Sequence, residues 1–242
     1  MEMKSEHKFY DPKGNTITYD KFIDFYSMCY YTNNSFEAEN YIMSCLSKEL
    51  TIEDVPKILA WKIGAVDEYK KGKNDIFLKK DIASLEINDK TTYLKYKRAK
   101  ISYNESFAEC ITKWSKQQKW NEDSAKSFFN ELFANDFSGI GTVYLLTLLF
   151  VVSKGAFPIY DRFAAQAIKA IIDNKKPYEK CEVKEPFEKC NNFSEKIFKD
   201  KSFYISYINN LEKIFGEEYK NNRKIDQALW VYGHMFYNPL IK

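Results

Sequence analysis

The stretch from Phe137 to Asp161 most limits what this chain can fold into. It reads Phe-Ser-Gly-Ile-Gly, then eleven mostly apolar residues from Thr142 to Val152, then Ser-Lys-Gly-Ala-Phe-Pro-Ile-Tyr-Asp. The 242 residues contain 8 glycines, yet Gly139, Gly141 and Gly155 all fall here. Glycine supplies backbone shapes, or a closeness of approach, that a Cβ forbids. The pattern predicts a tight Gly-x-Gly turn, then a helix over 142–153 that is apolar on nearly every side and therefore buried all round. Gly155 would end that helix as a C-cap glycine. Pro158-Ile159-Tyr160 reads as extended, with Asp161 opening the next helix.

Composition allows this core. Hydrophobic residues make up 45% and aromatics 17%, which argues against disorder. The length suits one large domain or two small ones. With 37 basic against 34 acidic residues the net charge of +3 neither identifies nor excludes a nucleic-acid partner, for which a local patch matters more than the total. Five scattered cysteines without CxxC spacing argue against a disulfide framework or a zinc site, and two histidines leave no multi-histidine metal site. No metal and no cofactor are expected. The start Met-Glu-Met-Lys-Ser-Glu lacks the apolar core of a signal peptide, and no apolar run is long enough to span a bilayer. The expectation is a cytoplasmic protein with no membrane partner.

Along the chain, helical spacing dominates. Aromatics recur from Tyr19 to Tyr31, and Phe36 to Leu46 reads as a second helix. Thr51-Ile-Glu-Asp54 resembles a capping box before a third, with Pro56 in its first turn. Residues 1–20 look like a polar arm with a turn at Asp11–Gly14. Residues 71–103 admit short strands or a helix with a long loop. Helices follow at 106–120, 124–134, 142–153 and 162–173. A surface loop spans 174–192, and helices at 197–215 and 225–236 close the chain.

The turn Ser138-Gly139-Ile140-Gly141-Thr142-Val143 has a definite chemistry. A helix starting near Thr142 leaves its first amides without upstream carbonyls, and they point out of the turn. Such an N-terminus attracts phosphate through hydrogen bonds and the helix dipole, and a backbone grip of this kind reads no base sequence. An ordinary helix–helix turn is the alternative. Asp161 has two readings as well. It can be an N-cap that satisfies the amides of Phe163 or Ala164, or a catalytic carboxylate.

Taken together, the turn, apolar helix, glycine stop and acid resemble the helix-hairpin-helix DNA glycosylase superfamily over residues 137–168. In that family a Leu-Pro-Gly-x-Gly turn is followed by a Lys or its substitute. In many members the catalytic Asp lies 18 positions further on. Here the Lys position falls on Val143, and Asp161 lies 18 positions past it. Val143 has no amine and cannot form a Schiff base. Ser138 replaces the usual Pro, the small or His residue often found shortly after the Asp is absent, and Arg162 and Phe163 follow instead. Cys181 and Cys190 alone cannot hold the iron–sulfur cluster of some relatives.

The resemblance implies an all-α, two-lobed helix-hairpin-helix glycosylase-like architecture. Its central helical bundle would be 51–155, and its second lobe 1–50 plus 156–242, with a cleft between them lined by the turn and Asp161. It implies a monofunctional DNA N-glycosylase of base excision repair, acting as a nucleoid-associated monomer on double-stranded DNA that carries a damaged base. Asp161 would stabilise the oxocarbenium-like transition state. Tyr160 and Trp230 would be pocket or DNA contacts, with Trp61, Trp114, Trp120 and Tyr232 as further wall candidates, although all these aromatics also suit plain core packing. Gln227 would read a base edge unless it is held in the core, and Arg162 would pair with Asp161 or with a phosphate. The basic run Lys95, Lys97, Arg98 and Lys100 is a solvated surface or a backbone contact to DNA. The alternatives are a non-catalytic DNA- or nucleotide-binding protein on the same scaffold, and a helical interaction module in which Gly139 and Gly141 only make a turn.

Overall fold

A computed structural model describes residues 7–30, 36–64, 66–67, 77–78, 91–96, 99–134, 140–181, 183, 193–220 and 222–237. Its elements run β1 (Phe9–Tyr10), β2 (Thr16–Ile17), α1 (Tyr19–Tyr30), α2 (Phe36–Leu46), α3 (Asp54–Lys62), β3 (Val66–Asp67), β4 (Phe77–Leu78), β5 (Thr91–Tyr96) and β6 (Ala99–Asn104). Then come α4 (Glu105–Trp114), α5 (Glu122–Ala134), α6 (Thr142–Val152), α7 (Arg162–Ile172), α8 (Phe193–Ile197), α9 (Phe203–Phe215), a 3-10 turn over Gly216–Lys220 and α10 (Arg223–Tyr237). The protein is thus mostly helical, with three short antiparallel strand pairs among the described residues. No described helix is long and apolar enough to cross a membrane.

Two compact units divide the chain. One comprises Asn34–Phe157 and Phe187–Phe198; the other is assembled from Met1–Asn33, Pro158–Pro186 and Lys199–Lys242. Helices α2 and α8 therefore belong to the middle unit, where the sequence expectation set them with the chain ends.

The middle unit is built around α6. Helices α2, α3 and α4 pack against it, and Leu146, Leu148, Leu149 and Val152 have no exposed surface. Thr147 is equally buried and donates its hydroxyl to the Val143 carbonyl at 3.0 Å, which satisfies a polar group in an apolar surround. At the far end the amide of Lys154 bonds the Val151 carbonyl (3.1 Å) and that of Gly155 the Phe150 carbonyl (2.9 Å). This is a Schellman end whose left-handed position is taken by Lys154, at φ 55, so Gly155 is one residue later than a C-cap glycine would be.

Caps fix the remaining boundaries. Asn104 Oδ1 accepts from the Phe107 amide at 2.8 Å and starts α4. That helix stops at Trp114, short of the expected 120; Ser115 caps it, and Gln117 and Trp120 turn back on the loop through a Trp120 Nε1 bond to the Gln117 carbonyl (3.2 Å). Asn121 and Ser124 cap α5 reciprocally, at 2.9 and 2.8 Å. Before α3, the Asp54 carboxylate accepts from the Thr51 amide (2.8 Å) and hydroxyl (3.0 Å), while Glu53 stands at the N-cap position without a side-chain cap bond, so the expected capping box is not formed. The Asp54 carboxylate also accepts from Tyr41 Oη and from Lys48 Nζ (2.8 Å). Burial pushes Asp54 up, but the bonds from Lys48, Tyr41 and Thr51 outweigh it and hold the carboxyl below its ordinary range. Within 71–103 the described residues include the hairpin β5–β6, in which Lys95 and Lys100 are register partners; Lys97 and Arg98 lie outside the described residues.

In the discontinuous unit the expected polar arm contains the β1–β2 hairpin, closed by Asp11 accepting from the amides of Lys13 (2.9 Å) and Asn15 (2.8 Å). Phe9 and Tyr10 are buried, and Tyr26 Oη donates to the Tyr10 carbonyl at 2.9 Å. Helix α10 packs on both α1 and α7. Gly233 makes the second contact possible, because a Cβ there would overlap the Phe163 carbonyl and Cα. The expected helix 197–215 begins only at Phe203, as α9, because Ile197 closes α8. Lys201 adopts φ 60, and Ser202 Oγ caps α9 by accepting from the Ile205 amide at 3.1 Å.

Candidate functional site

In the middle unit, α6 begins where the sequence places it. Ile140 has no exposed surface and anchors the entry to the helix; Gly141 is the N-cap residue, with φ −82 and ψ 163. Its carbonyl accepts from the amides of Tyr144 (3.0 Å) and Leu145 (3.2 Å). Thr142 is buried and Val143 half-buried in the first turn. Gly141's backbone is open to any residue, and among the described residues a Cβ there would meet only the Tyr144 ring at 3.7 Å, an ordinary contact. Neither the conformation nor the packing of the described residues calls for glycine at 141. Ser138 and Gly139 lie outside the described residues.

In the discontinuous unit, Asp161 is the N-cap of α7. Its backbone is extended (φ −134, ψ 144), and Oδ1 accepts from the Phe163 amide at 2.8 Å. Three residues upstream, Tyr204 Oη bonds the Pro158 carbonyl at 2.8 Å and fixes the segment that delivers Asp161. The carboxylate is half-buried, and its charge acts on two neutral rings. Burial pushes the Tyr207 phenol well up, and Asp161 adds to that. Burial pushes His234 below its usual 6.5, while the bond to Trp230 and the charge of Asp161 oppose the fall.

His234 sits one helical turn after Trp230, and its Nδ1 lies 2.7 Å from the Trp230 carbonyl. A carbonyl only accepts, so Nδ1 carries the proton and Nε2 of the neutral ring is an acceptor. The ring stacks on Phe163, with centroids 3.4 Å apart and planes 22° apart, because Gly233 brings α10 onto the first turn of α7. Trp230 is half-buried against Tyr30 (5.5 Å), His234 (4.0 Å) and Phe163 (6.0 Å). Arg162 is half-buried, with its guanidinium carbon 5.0 Å from the Phe163 ring centroid.

Asp161, Arg162, Trp230 and His234 thus belong to one neighbourhood around the start of α7. The other sequence candidates are placed differently. Tyr160 is 2% exposed, packed edge-on against Phe203 and Tyr207. Gln227 is 2% exposed and Tyr232 fully enclosed, its hydroxyl 3.3 Å from the Lys175 carbonyl. Trp114 and Trp120 pack with Phe128 in the middle unit, where Trp114 Nε1 donates to Glu131 at 3.0 Å. The sequence reading missed His234 and Tyr207. The spacing of Trp230 to His234 was a visible signal; Tyr207, among Phe203 and Tyr204, carried none beyond core packing.

No group of three or more His, Cys, Asp or Glu side chains that could hold a metal ion occurs among the described residues. No protein-family model, curated protein or solved structure matches this chain.

Proposed function

We propose that the protein is a monofunctional DNA N-glycosylase of the helix-hairpin-helix kind, with Asp161 as its catalytic carboxylate and the turn 138–143 as its phosphate grip. The observation that carries this reading is the state of Asp161. Its carboxyl group is fixed at a helix start and half-buried, with the rings of Tyr207 and His234 within its field. Breaking a glycosidic bond builds positive charge on the sugar, and a preorganised anion stabilises that charge without reorganising. The base must leave the stack before the bond can be attacked, and half-buried aromatics such as Trp230 suit stacking on nucleotides that are splayed out. Val143 supplies no amine, so water is the nucleophile and the strand is left intact.

The turn supports the same reading. Among the described residues Gly141 needs neither a special conformation nor a small size; besides serving as the N-cap of α6 it leaves the backbone bare for close approach of a ligand. The first-turn amides of α6 then meet phosphate as at other helix N-termini.

One observation favours a second reading, a DNA- or nucleotide-binding protein without activity: the Phe163 amide by itself accounts for an acidic residue at 161. Incubation with duplexes carrying oxidised, alkylated or deaminated bases separates the two. The enzyme releases a base from at least one duplex and leaves an abasic site that breaks only on alkali treatment. Binding to all of these duplexes with no base release from any supports the second reading.

A further inference from the structure

Within the discontinuous unit, Gly233 and His234 grip α7 at the residue that orients Asp161. The Phe163 amide donates to Asp161 Oδ1 at 2.8 Å. A Cβ at Gly233 would overlap the Phe163 carbonyl, so the backbones touch there. The Phe163 ring carries the His234 imidazole, with centroids 3.4 Å apart and planes 22° apart. The imidazole is also tied to Trp230, by the bond from Nδ1 to its carbonyl (2.7 Å) and by the indole ring at 4.0 Å. These contacts hold the ring in place, so gaining a proton changes the local charge more than the local structure. Histidine is the side chain that makes such a change near neutral pH.

The groups around the ring decide what its proton does. From α7 it meets Asp161 and Arg162, whose charges act on it with opposite sign, Asp161 the more strongly. From α1 come two phenols: Tyr30 lies 5.5 Å from the Trp230 ring, and Tyr26 Oη 3.7 Å from the Met235 sulfur. Asp24 of α1 is engaged by Lys224 at 3.5 Å. The Arg223–Asp226 pair lies about two to three turns before His234 on α10, and the Glu217–Lys220 pair lies in the 3-10 turn before that helix. Asp161 is thus the acid that faces the ring, and half-burial of both strengthens their interaction over that of exposed charges.

We infer that His234 is a proton-operated switch on Asp161: the neutral ring leaves the carboxylate's charge to the sugar, and the imidazolium opposes that charge and stops base release. The inference rests on the reading of Asp161 as the catalytic carboxylate. His234 acts through Asp161 and is a positioning residue, with no bond of its own to make or break. Burial disfavours the imidazolium, so the site is switched on at neutral pH and off in acid.

Two measurements on the full chain test it. The sequence has two histidines, His7 and His234, so two ring signals titrate by NMR, and His234→Asn assigns them. The His234 midpoint should lie below 6.5 and fall further in Asp161→Asn, which removes a charge that favours the imidazolium. Single-turnover base release from a lesion duplex that the natural chain cuts is then followed from pH 5 to 8. Below the His234 midpoint the rate should fall about tenfold per pH unit, as for loss of one essential unprotonated group. His234→Asn, whose amide still reaches the Trp230 carbonyl, should lack this acid limb; His234→Gln is a second neutral variant. Each protein is compared with its own rate at pH 8, and thermal melts at each pH establish that it is folded. The same acid limb in both variants, a rate that rises towards pH 5, or a His234 midpoint unmoved by Asp161→Asn overturns the inference and leaves Asp161 as the catalyst. No base release from any lesion duplex at any pH ends the reading of Asp161 and takes the inference with it.

Discussion

At the scale of single residues, the surroundings of Asp161 make a pH prediction. The His234 ring is stacked on Phe163 beside Trp230, and burial holds it neutral below its usual 6.5. As pH falls through 6.5 the unfolded chain takes up the proton before the folded one does. Stability is therefore full above about pH 6.5, declines as pH drops towards the folded value, and levels off below it. Asp54 is held below the carboxylate range, so its contribution is lost only at lower pH and does not obscure this window. Denaturant unfolding of the natural chain and of His234→Phe between pH 5 and 7.5 checks it. The natural chain should lose stability towards pH 5, and the variant should lose this part of the slope. Equal slopes would mean that His234 titrates normally.

At the scale of elements, two glycines have opposite roles. Gly233 places α10 directly on the backbone of α7, with Phe163 where a side chain would otherwise lie. Backbone cannot yield as a flexible side chain can, so Gly233→Ala must push the helices apart. The expected loss is about 3 kcal/mol or more in denaturant unfolding, accompanied by loss of the His234–Phe163 stacking. A change under 1 kcal/mol would show that the helices can separate at little cost. Gly141 has no such neighbour among the described residues, and its φ of −82 suits any residue. Alanine is a poorer N-cap but restricts the unfolded chain more, so Gly141→Ala should change stability by less than about 1 kcal/mol. In the proposed function that Cβ faces a phosphate, so duplex affinity measured by anisotropy should fall several-fold while the melting temperature holds. A lost fold, or unchanged affinity, would count against the grip at this turn.

At the scale of the whole molecule, the helical class and most helix positions were legible because apolar spacing reports helices directly. Helix α6 was the clearest case, since only a central helix tolerates Thr142 to Val152 in sequence. Asp161 as the opening of α7 was legible from the residue type and from Pro158 ahead of it. What escaped depended on geometry that spacing does not encode. The break between α8 and α9 depends on a left-handed Lys201, a conformation that residue type does not announce. The left-handed turn at Lys154 is the same case. The distribution of α2 and α8 between units follows from long-range packing. His234 and Tyr207 escaped because a lone histidine and a tyrosine in an aromatic helix read as core until their neighbours are known.

The most direct test of the central claim, that Asp161 acts on the glycosidic bond, is single-turnover base release by Asp161→Asn on a lesion duplex that the natural chain cuts, at equal DNA occupancy. Asparagine caps helices as well as aspartate does, so the fold and the Phe163 amide bond are retained while the negative charge is removed. The account predicts release slowed by at least about 100-fold with duplex affinity unchanged. Release at the natural rate from a folded Asp161→Asn protein would contradict it.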